Sequence, residues 1–201
     1  MGRTSDAREK LLQAALDLVW ANSYGSVSVD QICESAGVKK GSFYHFFPSK
    51  EDLAVAAFEL HWQRDIEPIL DRVFHPDRTP IERLEGWCEA IYVEQKERFL
   101  ASGHVPGCPF CSVGSEMGTL NERLRRKVED MLERGLFQLE RTLRDGQRDG
   151  SIPVADPAAK ARSLHALAMG VMFQAKVEND PEVLRCLRNQ VLDLLGTPQR
   201  A

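Results

Sequence analysis

The chain has 201 residues, 28% of them charged and 43% apolar, a balance that excludes a disordered or fibrous polymer and allows a sizeable core. Aromatic residues make up only 7%, and Leu, Ala, Arg and Glu dominate over β-branched types, which favours helix over strand. A net charge of −4 argues, taken whole, against a protein that coats nucleic acid, but the charge is unevenly spread. Residues 1–50 hold six Lys/Arg against five Asp/Glu, whereas no acid occurs between Glu34 and Glu51, a stretch holding Lys39, Lys40, His45 and Lys50.

In chain order, Leu11, Leu12, Ala15, Leu18 and Val19 trace one stripe of a first helix over about 5–22. Ser28 and Gln31 have the capping-box spacing that opens a second helix over 28–36, and Gly37 suits the left-handed position that ends it. A short third helix over 39–46 turns Phe43, Phe46 and Phe47 inward, and Ser49 caps a fourth that bends or stops near Pro68. Thr79 and Glu82 form a second capping box, opening a helix over 79–101; further helices follow over 109–118, 120–148, 156–178 and 181–195. Asp156-Pro157 and Asp180-Pro181 mark the last two starts. The expected fold is all-α with about nine helices and no strand: a three-helix head over 1–48 and a helical body over 49–201.

Residues 28–47 read as a helix-turn-helix, with small Cys33 at the crossing, Gly37 in the turn, and Val38 and Phe43 as anchors. A 3.6-residue period then leaves Lys40, Gly41, Tyr44 and His45 on the outer face. Lys40 and Lys50 are suited to phosphates, Tyr44 to a phosphate or a thymine methyl, Gly41 to close backbone approach, and Ser42 and His45 to the same surface. The helix start at Ser28 offers amides to an anion.

The string from Ser28 to Leu53 closely resembles the DNA-binding region of the TetR family of bacterial transcriptional regulators. Its most specific marks are Ala36-Gly37-Val38, Lys40-Gly41, Phe43-Tyr44-His45-Phe46-Phe47 and Ser49-Lys50-Glu51-Asp52-Leu53. Two departures are Cys33, where the family usually has Ala, and Lys39, where a capping Ser is common; Lys39 gives up the cap and gains a phosphate contact. The resemblance implies a homodimer on a palindromic operator, and geometry concurs, because a seven-residue recognition helix of about 10 Å spans only a few base pairs. It also implies a repressor released by a small-molecule effector bound among the middle helices. Candidate lining residues are Trp62, Trp87, Phe99, Phe110, Met117, His165, Met169 and Phe173.

The 156–178 helix is apolar on two faces, so it is expected to pack on both. Leu164, Leu167, Ala168, Val171, Met172 and Ala175, with Leu184, Leu187, Val191 and Leu194 of the last helix, are expected at the dimer interface, as in proteins of the resembled family. Cys108 and Cys111 stand three apart near a helix start, where amides lower a thiol pKa. Some TetR-like repressors carry a reactive thiol at the corresponding place, so a redox- or electrophile-sensing repressor is the alternative reading. His104 with these cysteines gives three potential zinc ligands and no fourth, so neither metal nor cofactor is expected. An odd cysteine count without a secretory or membrane-spanning run points to a cytoplasmic protein without a membrane partner. An all-α enzyme finds no support in a phosphate loop, HExxH motif or nucleophile elbow, and an interaction protein would leave Lys40, Tyr44, His45 and Lys50 without a role.

Overall fold

The computed structural model describes residues 2–196, with side chains from residue 6 onward. Among these residues every regular element is helical: α1 (Gly2–Ala21), α2 (Val29–Ala36), α3 (Lys40–Phe46), α4 (Lys50–His61), α5 (Glu67–Val73), α6 (Pro80–Ser102), α7 (Pro109–Met117), α8 (Glu122–Asp149), α9 (Pro157–Glu178) and α10 (Leu187–Leu195). Both expected capping boxes form. Ser28 accepts the amide of Gln31, and Thr79 that of Glu82.

Two elements take a more particular form than expected. The break expected near Pro68 takes the form of a π turn, Trp62–Ile66, between α4 and α5. A proline ring crowds the carbonyl four residues back, here that of Arg64, and the widened turn lies where that carbonyl has lost its donor. The last helix opens as a 3-10 segment, Pro181–Cys186, capped by Asp180, before α10 begins.

By packing, the chain forms two units. The first comprises residues 1–66 and 109–131 and the second 67–108 and 132–201, so α8 contributes to both. In the first, Leu11, Leu12 and Leu16 of α1 are fully buried with Ile32, Phe43, Leu53 and Phe58, which fixes α2, α3 and α4 on α1. Phe110 of α7 meets Phe58 edge-on at 5.3 Å, bringing α7 onto the same core. In the second unit Leu84, Trp87, Leu139, Leu143, Leu164 and Leu187 share a core built by α6, α8, α9 and α10. Arg83, buried there, donates to Asp145 at 2.7 Å and to the carbonyls of His75 and Pro76, so its charge is compensated.

No helix among the described residues is long and apolar enough to cross a membrane.

Candidate nucleic-acid interface

The interface is built by α2 and α3. Ser28 Oγ takes the Gln31 amide at 3.2 Å, while the Gln31 side chain takes the Ser28 amide at 2.8 Å. This closed box, with Asp30 in the first turn, occupies two of the amides that the expected anion site at Ser28 would have offered. At the other end Gly37 has φ 64°, a conformation that side chains resist, and its amide returns to the carbonyls of Cys33 and Glu34. The chain thereby reverses tightly into α3. Lys39 precedes α3 and makes no side-chain capping bond.

Phe43 and Phe47 are buried and meet at 6.1 Å, which locks the rotation of α3. Phe46 is only half-buried, a departure from the three-Phe core expected, and its ring stands 5.0 Å from that of His45. The opposite face presents Lys39, Lys40, Gly41, Tyr44 and His45, with Ser42 half-buried beside them. Tyr44 is 52% exposed although its ring is braced edge-on against Phe43 at 5.1 Å. A large aromatic ring held rigidly in solvent is the form a contact residue takes.

The two lysines are engaged differently. Lys40 Nζ contacts both carboxylate oxygens of Asp30, at 2.7 and 3.0 Å, tying α3 to α2; hydrogen bonding to Asp30 raises its pKa. Both partners are exposed, so the pair is weak and can be exchanged for a phosphate. Lys50 Nζ donates to the carbonyls of Tyr24 and Val27, each at 2.9 Å, and lies 4.1 Å from the centre of the Tyr24 ring. Two of its three protons therefore serve the α1–α2 loop, a role the sequence reading missed.

The residues expected around an effector are divided between the two units. Trp62, Phe110, Cys111 and Met117 belong to the first unit, whereas Trp87, Phe99, Cys108, His165, Met169 and Phe173 belong to the second. Trp62, Phe110 and Trp87 are buried core residues; Phe99, Cys108, Cys111, Met117, His165 and Met169 are half-buried. Burial lowers the pKa of His165. Phe173 is 67% exposed. A groove beside α5 and α6, lined by Ile69, Arg72, Arg78, Glu89, Val93 and Glu94, contains none of the expected residues.

Most of the expected dimer stripe lies inside the chain. Leu164, Ala168, Val171, Met172, Ala175, Leu184, Leu187 and Val191 are buried within one chain, and Leu167 packs partly against the same core. These buried side chains have little surface left for a partner, whereas two members of the expected stripe keep some: Leu167 is half-buried and Leu194 is exposed. The outer face of α9 instead carries Phe173 and Val177, one turn apart and each 67% exposed; Phe137 of α8 and Leu194 of α10 are exposed as well, at 63% and 40%.

Two family models match successive stretches of the sequence. The family model for bacterial regulatory proteins of the tetR family matches residues 11–57, and that for the tetracyclin repressor-like C-terminal domain matches residues 80–191. The transcriptional regulator AcuR of Cereibacter sphaeroides is 30% identical over 184 residues, covering 89% of this chain and 80% of AcuR. The HTH-type transcriptional repressor NemR of Escherichia coli is 26% identical over 194 residues, 96% of each chain, and the crystal structure of its reduced form superposes with a TM-score of 0.79. A TetR regulatory protein from Rhodobacter sphaeroides superposes with a TM-score of 0.80 at 29% identity over 92% of this chain and 96% of its own. With the α2–α3 hairpin matched by one model and the helical body by the other, the chain belongs to the TetR family of bacterial transcriptional regulators.

Proposed function

We propose that the chain is a repressor that binds a palindromic operator as a homodimer, reads it through the exposed face of α3 and leaves it when a small molecule binds the helical body. Residues 1–48 act as the DNA-reading head and 49–201 as the effector-binding and dimer-forming body. The observation that carries this reading is the rigid presentation of Tyr44 between Lys40, Gly41 and His45, on a helix fixed from behind by Phe43 and Phe47. Lys39 and Lys40 meet phosphates, Gly41 lets the backbone approach, and Tyr44 and His45 reach base edges or the phosphates beside them. Ser42 and the remaining Lys50 proton support the same strand. The outer face of α9, with Phe173 and Val177, meets its copy in the dimer, because apolar groups of that size gain about 1.5–3 kcal/mol each on full burial.

Selection of duplexes from a random pool with the full chain tests the reading. An inverted repeat should emerge, with half-sites one helical turn or a multiple apart. Enrichment without two-fold symmetry would contradict the dimeric mode.

A second reading is favoured by Cys108, half-buried immediately before α7, and by the similarity to a repressor solved in a reduced form. In it the releasing signal is oxidation or alkylation of this thiol. Cys108→Ser should then remain on the selected duplex in diamide, which releases the unmodified protein; equal release of both would remove Cys108 from the mechanism.

A further inference from the structure

Glu116 lies in the last turn of α7, 92 residues from Tyr24, yet its carboxylate accepts the Tyr24 amide at 2.9 Å and the Gly25 amide at 2.7 Å, one on each oxygen. This bidentate, charge-assisted grip falls on the loop between α1 and α2, and Ser28, the cap of α2, follows three residues later. A Cβ added to Gly25 would stand 2.5 Å from Glu116 Oε1, so a side chain there would push the carboxylate off the loop. On its other side α7 is seated as closely, since a Cβ on Gly114 would lie 2.9 Å from Val128 of α8. From α4, Lys50 holds the carbonyls of the same loop. The loop is thus held by a carboxylate on its N–H side and an ammonium on its C=O side.

Tyr24 is buried, so the bond to its amide satisfies a group with little access to water, but burial does not explain the second bond, to Gly25. Ser23, Gly25 and Ser26 are exposed, and water could hydrate the Gly25 amide at little cost. What the carboxylate supplies is position. We propose that Glu116 is a positioning residue for DNA recognition, a latch through which the seating of α7 sets the entry of the chain into α2 and hence the pose of α3. A displacement of α7 opens the latch and loosens the loop at Gly25, while Lys50 and the buried side chains of Tyr24 and Val27 still hold it. The proposal rests on α2 and α3 being the DNA-reading pair.

The test uses the full chain and the duplex selected by the unmodified protein. Glu116→Gln keeps the shape of the side chain but removes the charge and turns one acceptor into a donor facing an amide. It should speed hydrogen exchange at Tyr24 and Gly25 about tenfold and weaken duplex binding about tenfold, with the melting temperature little changed. Gly25→Ala should do the same from the loop side, and combining the two should be no worse than either alone, since each opens the same latch. If Gly25→Ala does not fold, Glu116→Asp, shorter by one methylene with its charge kept, takes its place with the same expectations. Faster exchange with unchanged affinity would overturn the coupling, as would unchanged exchange, or additive losses with a falling melting temperature. If the protein selects no duplex, or Tyr44→Ala binds as tightly as the unmodified protein, the DNA-reading assignment fails and the coupling with it.

Discussion

Tyr44→Ala is expected to reduce affinity for the selected duplex about 100-fold or more while leaving the fold and the oligomeric state unchanged. A base-edge contact contributes about 1–3 kcal/mol, a dimer loses two copies of it, and each 1.4 kcal/mol is a factor of ten. The fold should change little, because the ring is half in solvent and its neighbour Phe43 is packed against Phe47 as well. Fluorescence anisotropy with labelled duplex, paired with thermal unfolding, separates the two effects. A lowered melting temperature accompanying the loss would assign Tyr44 to the packing of α3 instead of to DNA. Affinity for unrelated duplex should fall far less, since that binding rests on phosphate contacts from Lys39 and Lys40.

The second large effect is expected at α9. Phe173→Asp should give a folded monomer at concentrations where the unmodified protein sediments as a dimer, and the monomer should lose operator binding because one α3 spans too little DNA. The substitution removes an apolar side chain that each protomer would bury and puts a carboxylate in a dry interface, where an unpaired charge is costly. Val171→Asp, two residues away on the same helix and on its opposite face, should behave differently: Val171 is 4% exposed, so the charge would enter the chain's own core and unfold the second unit. Sedimentation velocity and circular dichroism on the two variants distinguish the faces of α9. An unchanged dimer for Phe173→Asp would move the interface elsewhere.

The helix-turn-helix was legible because its determinants are local. A capping box, a glycine at a left-handed turn and a Phe pair four residues apart all act within twenty residues, and each forms as its spacing implies. The body was less legible for a geometric reason. On α9 both apolar lines satisfy a helical period, and periodicity does not say which faces the chain itself. The denser line, from Leu164 to Ala175, took the core; the sparser line of His165, Met169 and Phe173, interrupted by exposed Ala166 and Gly170, ends at the surface. That interruption was the available signal. The partners of Lys50, the pairing of Lys40 with Asp30 and the grip of Glu116 on the α1–α2 loop had none, because they join side chains to backbone groups or surface charges across separate helices. The π turn before Pro68 shows a similar limit, since the proline announced a break but its strain was absorbed one turn earlier.

The acidic average of the whole chain takes on a specific meaning in this structure. Acids are excluded from the sixteen sequence positions 35–50 and outnumber bases in the helical body, a distribution that disfavours contact between the body and a polyanion. Non-specific binding should accordingly be weak at physiological salt.

Methylation protection on the selected duplex tests the central claim most directly, because dimethyl sulfate reads guanine N7 in the major groove and adenine N3 in the minor groove. The full chain should protect two clusters of guanine N7, related by two-fold symmetry and separated by one helical turn or a multiple, and Tyr44→Ala should lose both together. Protection confined to adenine N3, or a single cluster that survives in Tyr44→Ala, would contradict the assignment of α3 as the element that reads DNA.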